Sequence, residues 1–270
     1  MKRACRNIDA EIFVIDNNSS DDTKNFIESG FRNIKFIWNN ENSGFAKANN
    51  QALKDAIGKY VLFLNPDTIV PEDCIIKCID FFEKNIDTGA LGVRMVDGSG
   101  KFLKESKRGF PSPAASFYKI TGIAKLFPQS KVFSRYYLGH LPEDQINEVD
   151  VLAGAFMMIP KNVLDKVGGF DERFFMYAED IDLSYRIQKT IGPTAPKPYK
   201  IIYYGETTIT HFKGKSTSKG TRRYAKLFYL AMDQFVDKHY AASPALYRSF
   251  LHAGIKISAA FARVAAFFRR

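Results

Sequence analysis

The chain of 270 residues has few cysteines and no long apolar run. No apolar stretch approaches the roughly 18 residues that a membrane-spanning helix needs, and the first residues lack the apolar core of a signal peptide. Two of the three cysteines, Cys74 and Cys78, lie on the apolar side of a predicted helix, which favours core residues over a metal or redox pair. We therefore expect a cytosolic protein in a reducing compartment.

The chain before His211 carries no excess of charge of either sign. The net charge of +10 arises from His211 onwards, where 12 Lys and Arg residues face only 2 Asp residues. Such an asymmetry predicts an anionic partner for the C-terminal part, either a membrane surface or a nucleic acid. We expect no nucleic acid, because no reading motif accompanies these basic residues.

The last predicted helix, Pro244–Arg270, is basic and amphipathic. Its apolar face consists of Leu246, Phe250, Ile257, Phe261, Val264 and Phe268. Its opposite, basic flank consists of Arg248, His252, Lys256, Arg263 and Arg270. Such a helix can lie on an anionic membrane or cover the domain with its basic face in water. We expect peripheral contact of residues 244–270 with the anionic inner face of the cell membrane.

Predicted strands and helices alternate through the first hundred residues. With 46% apolar and 25% charged residues, the composition is that of a globular protein with one large domain. The predicted elements are strands at Glu11–Asp16, Ile34–Trp38, Tyr60–Leu64 and Ala90–Val96, and helices at Asp21–Ser29, Phe45–Ile57 and Glu72–Lys84. This rhythm predicts an α/β fold with a mainly parallel, doubly wound sheet. Later elements include a helix at Pro113–Leu126, short strands at Lys200–Tyr204 and Thr207–His211, and a helical C-terminus.

A buried strand runs directly into the turn Asn65-Pro66-Asp67. The apolar run Tyr60–Leu64 is typical of a strand buried on both faces, and ligands of α/β sheets bind beyond the carboxyl ends of such strands. Proline fixes the turn, so Asp67 is available to a hard divalent cation such as Mg²⁺ or Mn²⁺. Asp67 is thus a candidate metal ligand.

Three further polar clusters occupy predicted loops or helix starts. The cluster that begins at Asp16 ends a strand, and the cluster of residues 39–50 opens a helix that carries Lys47, where phosphate binds well. Both are also typical of ordinary capped helix starts. The acidic tetrad Glu179–Asp182 begins another helix, where acidic residues often only complement the helix dipole.

Together these clusters closely resemble the family 2 glycosyltransferases of the GT-A fold, especially their rhamnosyltransferase-like branch, over about Glu11 to Ser216. The resemblance implies a nucleotide-sugar site lined by Asp16, Asn18, Asn42, Gly44, Lys47, Asn50, Asn65 and Lys213. It implies that Asp67 holds the cation and that His211 is a ligand of the cation or of the diphosphate, although a lone His after a strand is more often structural. Asp67 is then the remaining acid of the family's Asp-x-Asp motif, because Asn65 takes the first place.

The resemblance also implies a mechanism. Asp180 would be the general base that deprotonates the acceptor hydroxyl, with Glu179 and Asp182 holding the acceptor or the loop. In-line attack would invert the anomeric centre of a sugar that leaves a nucleotide diphosphate donor. The expected acceptor is a cell-envelope glycan or a lipid-linked glycan, and the expected domains are a glycosyltransferase at residues 1–216 and a basic helical extension at 217–270.

The start of the chain departs from this family. Members usually begin with a strand and a helix that have no full counterpart here, and that strand would lie between Glu11–Asp16 and Tyr60–Leu64. We therefore expect either that these two strands close up or that the chain is truncated, with an incomplete base pocket. Two alternatives to glycosyl transfer remain open: a weakly active or inactive remnant at the membrane, and a nucleotidyltransferase, which also uses acidic residues and metal.

Overall fold

The computed structural model describes residues 1–30, 34–194, 196–212 and 222–267, and within these ranges the fold is α/β. The first half contains β1 (Phe13–Asp16), α1 (Thr23–Gly30), β2 (Lys35–Trp38), α2 (Phe45–Leu53), β3 (Tyr60–Leu64), β4 (Thr68–Ile69), α3 (Cys74–Lys84) and β5 (Thr88–Val96). The second half contains α4 (Pro113–Ile120), α5 (Ile123–Leu126), β6 (Ile146–Glu148), β7 (Phe156–Pro160), α6 (Lys161–Val167), α7 (Glu179–Lys189), β8 (Lys200–His211), α8 (Arg222–His239) and α9 (Ala245–Phe267). The predicted alternation of strands and helices is confirmed.

The larger sheet has the strand order β3-β7-β5-β8-β4, with β6 also paired to β8. Strands β3, β5 and β8 share one direction, as the alternating pattern predicts, because β5 pairs in parallel with β8 and both β3 and β5 pair antiparallel with β7. Strands β4 and β6 are antiparallel to β8. The sheet is therefore mixed. Strand β7, from the second half of the chain, lies antiparallel between β3 and β5, two strands of the first half.

Strands β1 and β2 form a separate, parallel two-stranded sheet. Within the described residues β1 does not pair with β3, so the expected alternative in which these strands close up is not observed. Their starts are nevertheless tied together, since Oε1 of Glu11 accepts hydrogen bonds from the backbone N–H groups of Ile57 (2.7 Å) and Gly58 (3.3 Å).

Two predicted boundaries are wrong. The two short strands predicted near the C-terminal end of the sheet are one strand, β8, which keeps its pairing with β5 through a bulge: Val93 pairs with Tyr204, but Arg94 pairs with Thr208. The helix predicted over Pro113–Leu126 is interrupted, because Gly122 adopts a left-handed conformation (φ 80°) between α4 and α5.

The core lies on both faces of the larger sheet. Along β7, Met157 and Ile159 face one cluster while Phe156 and Met158 face the other, as the two-residue repeat of a strand requires. Burying each such side chain contributes about 1.5–3 kcal/mol. The second cluster includes Cys74 and Cys78, whose prediction as core residues is confirmed.

The helix α8 packs in a third apolar cluster, separate from the two on the larger sheet. Ala231 and Phe235 pack with Val151, Phe174 and Ile181. The boundary predicted between residues 216 and 217 lies outside the described residues. None of the described helices combines the length and the apolarity that crossing a bilayer requires.

Candidate active site

The turn Asn65-Pro66-Asp67 connects β3 to the very short β4. Its start is fixed by a hydrogen bond of 3.0 Å from the backbone N–H of Asn65 to the carbonyl of Ala155. Its end is fixed by the β4–β8 pairing and by a bond of 2.8 Å from the N–H of Phe212 to the carbonyl of Asp67. The carboxylate of Asp67 therefore meets the end of β8, where Nε2 of His211 lies 3.1 Å from Oδ1 of Asp67.

The two side chains predicted to hold a cation are thus adjacent and largely buried. Oδ1 of Asp67 and Nδ1 of His211 are buried atoms without an aligned hydrogen-bond partner among the described residues. A carboxylate oxygen and an imidazole nitrogen are donors that Mn²⁺ accepts, and the carboxylate also suits Mg²⁺. No third His, Cys, Asp or Glu joins them within the described part of the chain. The residues fit a cation that takes its remaining ligands from outside the protein.

Asp180 lies in the first turn of α7, directly after two residues with a strained backbone. Tyr177 and Ala178 are consecutive non-glycine residues in the left-handed region, with φ of 72° and 64°. Each such conformation costs of order 1–3 kcal/mol, and strain of this kind is common at functional sites. Oδ1 of Asp180 accepts a bond from the N–H of Ile181 (2.8 Å), and Oδ2 accepts one from the N–H of Gly154 (3.3 Å).

The segment Ala153-Gly154-Ala155 joins the two acidic parts of the site. Gly154 donates to Asp180, while the next residue, Ala155, accepts from Asn65. A Cβ on Gly154 would lie 3.5 Å from the ring of Phe45 and 3.8 Å from Cβ of Asp180. The sequence analysis missed this segment, although three small residues in a row before an apolar strand are a usable signal of close backbone approach.

Glu179 is buried beside Asp180, with 7% of its surface exposed. Burial, followed by the nearby charge of Asp180, raises the pKa of Glu179 to about 8. Its Oε2 has no hydrogen-bond partner among the described residues. At neutral pH Glu179 is therefore mostly a neutral carboxylic acid, unsuited to act as a base.

The structure places Asp182 away from Asp180, because residues two apart on a helix point to different faces. Asp182 is fully buried and is bound by Nε of Arg186 (2.8 Å), Nζ of Lys238 (2.6 Å) and Nε2 of His239 (2.6 Å). Burial alone would raise the pKa of Asp182, but the hydrogen bonds from His239 and Lys238 hold it below its usual value. Asp182 thus ties α7 to the end of α8.

The predicted nucleotide-binding loop is organised by Asn17, which the sequence analysis did not single out. The Oδ1 of Asn17 accepts bonds from the N–H and hydroxyl of Ser43 (both 3.1 Å), and its Nδ2 donates to Oδ1 of Asn42 (3.0 Å) and to the carbonyl of Gly44 (3.2 Å). Asn42 in turn accepts from the N–H of Gly44 (3.0 Å). Asn17 therefore joins the end of β1 to the start of α2.

Gly44 also brings this loop against the segment before α7. Its φ is 85°, and a Cβ there would lie 2.5 Å from the carbonyl oxygen of Phe175. That carbonyl accepts a hydrogen bond of 2.9 Å from the N–H of Phe45. The predicted nucleotide-binding loop, residues 39–50, is therefore in direct contact with the residues that precede α7.

The other predicted nucleotide-binding residues have different environments. Both ends of the Asn50 amide bind the backbone of Phe170, at 2.8 and 3.0 Å, so Asn50 positions the loop before α7. Lys47 is exposed on α2. Asp16 caps the following turn by accepting from the N–H of Ser19 (3.0 Å), and Asn18 is left-handed, with φ 66°. Lys213 lies outside the described residues.

A family model described as "Glycosyl transferase family 2" matches residues 2–168, which is more than half of the chain. The chain belongs to glycosyl transferase family 2. It is 26% identical over 220 residues to an N-acetylglucosaminyl-diphospho-decaprenol L-rhamnosyltransferase of Mycobacterium tuberculosis, covering 77% of this chain and 68% of the relative. It is 32% identical over 155 residues to the rhamnosyltransferase WbbL of Escherichia coli, covering 53% of this chain and 54% of WbbL. These relatives support the predicted rhamnosyltransferase-like branch.

Solved structures agree with the GT-A fold of this family 2 member. GalNAc-T7, crystallised with UDP, GalNAc and Mn²⁺, matches with a TM-score of 0.52 and 13% identity, over 91% of this chain and 48% of that one. Staphylococcus aureus TarS, crystallised with UDP-GlcNAc, matches with a TM-score of 0.50 and 17% identity, over 91% of this chain and 62% of that one. The chain thus spans less than two thirds of the length of these structures.

The range matched by the family model includes the Asp16 cluster, the nucleotide loop and the Asp67 turn of this glycosyltransferase family member. It ends before Glu179, Asp180 and His211. The grouping of Asp180 and His211 with the matched residues therefore rests on the hydrogen bonds and strand pairings described above.

Proposed function

We propose that this chain is an inverting, metal-dependent glycosyltransferase that moves a sugar from a nucleotide diphosphate donor to a hydroxyl of a cell-envelope or lipid-linked glycan. The observation that carries the proposal is that the Asp67 turn and Asp180 are both hydrogen-bonded to the segment Gly154-Ala155. Ala155 accepts from Asn65, and Gly154 donates to Asp180. The two groups that such a transfer needs, a cation site and a base, are thereby held at fixed positions relative to each other.

On the donor side, Asp67 and His211 would hold Mg²⁺ or Mn²⁺, which neutralises charge on a departing diphosphate. The loop organised by Asn17 leads into α2, whose first turn carries the exposed Lys47, and a helix N-terminus favours phosphate. The complexes of GalNAc-T7 with UDP and Mn²⁺ and of TarS with UDP-GlcNAc support a donor of this class.

On the acceptor side, Asp180 would remove the proton of the attacking hydroxyl. Among the three acidic residues of the tetrad it suits this role best, because Glu179 is mostly neutral at pH 7 and Asp182 is enclosed by Arg186, Lys238 and the His239 ring. A single in-line displacement, with the base on the acceptor side and the diphosphate leaving opposite, inverts the anomeric centre. The name of the Mycobacterium tuberculosis relative, an N-acetylglucosaminyl-diphospho-decaprenol L-rhamnosyltransferase, supports a lipid-linked acceptor.

We also propose that residues 244–267 contact an anionic membrane. The helix α9 packs on α8, with Leu251 and Ala259 buried and a bond of 2.6 Å between His252 of α9 and Asp233 of α8. This packing leaves the predicted apolar face outside: the exposed fractions are 85% for Leu246, 64% for Phe250, 58% for Ile257 and 66% for Phe261. Of the predicted basic flank, Lys256 and Arg263 are exposed, whereas Arg248 and His252 are half-buried. An exposed apolar stripe with basic residues suits an anionic lipid surface better than water.

A thermal-shift experiment tests the donor part of the proposal. The purified chain is melted with UDP and other nucleoside diphosphates, each with and without Mn²⁺. A bound nucleotide at about 100 times its Kd should add about 2.7 kcal/mol of stability, and the gain should require the cation. Equal melting temperatures under all conditions would contradict the proposal.

A further inference from the structure

Arg108 is a buried cation in direct contact with Asp180. Its Nη2 donates to Oδ2 of Asp180 at 2.5 Å and to the carbonyl of Leu152 at 2.7 Å. Only 11% of the Arg108 side chain and 14% of the Asp180 side chain are exposed. Burial alone would lower the pKa of Arg108, but the charges and hydrogen bonds of Asp180 and Tyr136 together raise it, so the guanidinium stays charged.

The position of Arg108 is fixed at both ends of the residue. Its backbone forms an isolated antiparallel bridge with Val151, with N–H to carbonyl distances of 3.0 and 2.9 Å in the two directions. Its guanidinium is fixed by Leu152, the next residue along the same segment. The cation therefore cannot follow the Asp180 carboxylate if that carboxylate rotates, so it defines where the carboxylate rests.

Among the residues that the structure describes, the other donors to the Asp180 carboxylate are backbone groups. Oδ1 binds the N–H of Ile181, and Oδ2 binds the N–H of Gly154 at the longer distance of 3.3 Å. The adjacent Glu179 is itself an acid and supplies no positive charge. Arg108 is thus the charged group that holds Oδ2 of Asp180 in place.

We propose that Arg108 is a positioning residue for glycosyl transfer, which orients the Asp180 carboxylate toward the acceptor hydroxyl. The inference rests on the proposed role of Asp180 as the base. Arg108 also begins the long segment that leads to β6, so it links the seating of that segment to the orientation of the base. A misplacement of about 1 Å in such a site reduces turnover by about 100-fold.

Lys107 provides a matched control. It is also buried, and its Nζ donates to the carbonyls of Leu138 (2.8 Å) and Leu141 (2.9 Å). It therefore anchors the same segment without contacting the carboxylate. A purely structural role of Arg108 predicts similar losses from Lys107→Gln and Arg108→Gln, whereas a positioning role predicts different ones.

The test measures kcat, the KM for the donor and the melting temperature of Arg108→Gln, Arg108→Lys, Lys107→Gln and Asp180→Asn. We expect Arg108→Gln to lower kcat about 100-fold while the KM for the donor stays within about twofold. Arg108→Lys keeps the charge but loses the planar fork, so it should recover part of kcat. Lys107→Gln should lower the melting temperature with a much smaller effect on kcat.

An unchanged or higher kcat in Arg108→Gln, or equal losses of kcat in the Lys107 and Arg108 variants, would overturn the inference. If Arg108→Gln does not fold, Arg108→Lys decides: a normal kcat in a folded Arg108→Lys protein at an unchanged donor KM would overturn it. Turnover by Asp180→Asn would instead remove the proposed base. An inactive Asp180→Asn beside a normal Arg108→Gln would reject only the positioning role.

Discussion

His211 and Asp67 lie next to each other at the end of the β4–β8 pairing, with Nε2 of His211 3.1 Å from Oδ1 of Asp67. The two residues are far apart in sequence and meet only because β4, two residues long, pairs with the last residues of β8. Both side chains keep a buried polar atom without a hydrogen-bond partner among the described residues. This arrangement is the basis for the proposed cation site.

Removing either side chain should weaken nucleotide binding that depends on Mn²⁺. We expect Asp67→Ala and His211→Ala each to raise the Kd of a nucleoside diphosphate at least about tenfold, which corresponds to about 1.4 kcal/mol. Titration calorimetry with and without Mn²⁺ measures the effect, and Asp55→Ala, at an exposed aspartate, is the control. Retention of the full Mn²⁺ dependence by both variants would remove these residues from the cation site.

Asp180→Asn and Asp182→Asn should fail in different ways. We expect Asp180→Asn to lower kcat by about 10²- to 10⁴-fold in a folded protein, because the base is lost. Asp182→Asn leaves the cations of Arg186 and Lys238 without a buried countercharge and should lower the free energy of unfolding by about 3–5 kcal/mol. Steady-state kinetics measure kcat and urea unfolding measures the free energy of unfolding of both variants. A stable but inactive Asp182→Asn would contradict a structural role of Asp182.

Gly44→Ala should destabilise the protein more than Gly100→Ala. Both glycines have a positive φ, 85° and 84°, so each substitution strains the backbone, and Gly44, with ψ of 170°, lies in a region that essentially only glycine adopts. A Cβ on Gly44 would meet the carbonyl oxygen of Phe175 at 2.5 Å, whereas one on Gly100 would meet no atom within 4 Å. We expect at least about 1 kcal/mol of additional loss for Gly44→Ala in chemical denaturation, with weaker donor binding. Equal losses of free energy of unfolding in the two variants would show that the backbone of Phe175 moves aside at little cost.

Glu179 should make the protein less stable as the pH rises. Burial raises its pKa in the folded state to about 8, above its ordinary value of 4.5, so the folded state binds more protons than the unfolded state between these values. Stability should therefore fall with increasing pH across this window, by up to about 1.4 kcal/mol per pH unit. Glu179→Gln should flatten the dependence of the free energy of unfolding on pH. An identical slope in wild type and variant would contradict the neutral, buried state of Glu179.

The exposed stripe of α9 should bind anionic vesicles. Vesicles that contain phosphatidylserine should pellet the protein at low salt, with a loss of binding as the salt concentration rises, since each basic residue near the surface contributes about 1 kcal/mol. Phe250→Asp should reduce pelleting strongly. Ile57→Asp, at an apolar residue that is 88% exposed elsewhere, is the control. Equal binding by the two variants would argue against this face.

Local patterns were sufficient for the elements and for the acidic positions of the site. The apolar run before Asn65 predicted β3 and its turn, and the tetrad at the start of α7 predicted where acidic side chains would cluster. The meeting of Asp67 with His211 followed from the family resemblance rather than from local pattern. The catalytic, metal-binding and nucleotide-binding roles of these residues remain predictions.

The connections between these positions could not be predicted from the sequence. Gly154, Asn17 and Arg108 act through hydrogen bonds to residues far along the chain, and a contact of this kind leaves no local periodicity. The direction of β7 was missed for the same reason. The acidic tetrad also gave no indication of which carboxylate is enclosed, because the partners of Asp182 come from α8.

The most direct test of the proposed activity is the identity of the released product. The purified chain is incubated with a nucleotide-sugar panel, Mn²⁺ and a lipid-linked glycan acceptor, and the nucleotide products are separated by chromatography. We predict release of a nucleoside diphosphate together with a glycosylated acceptor, and neither product from Asp180→Asn. Release of pyrophosphate, or no product with any donor, would contradict glycosyl transfer by this chain.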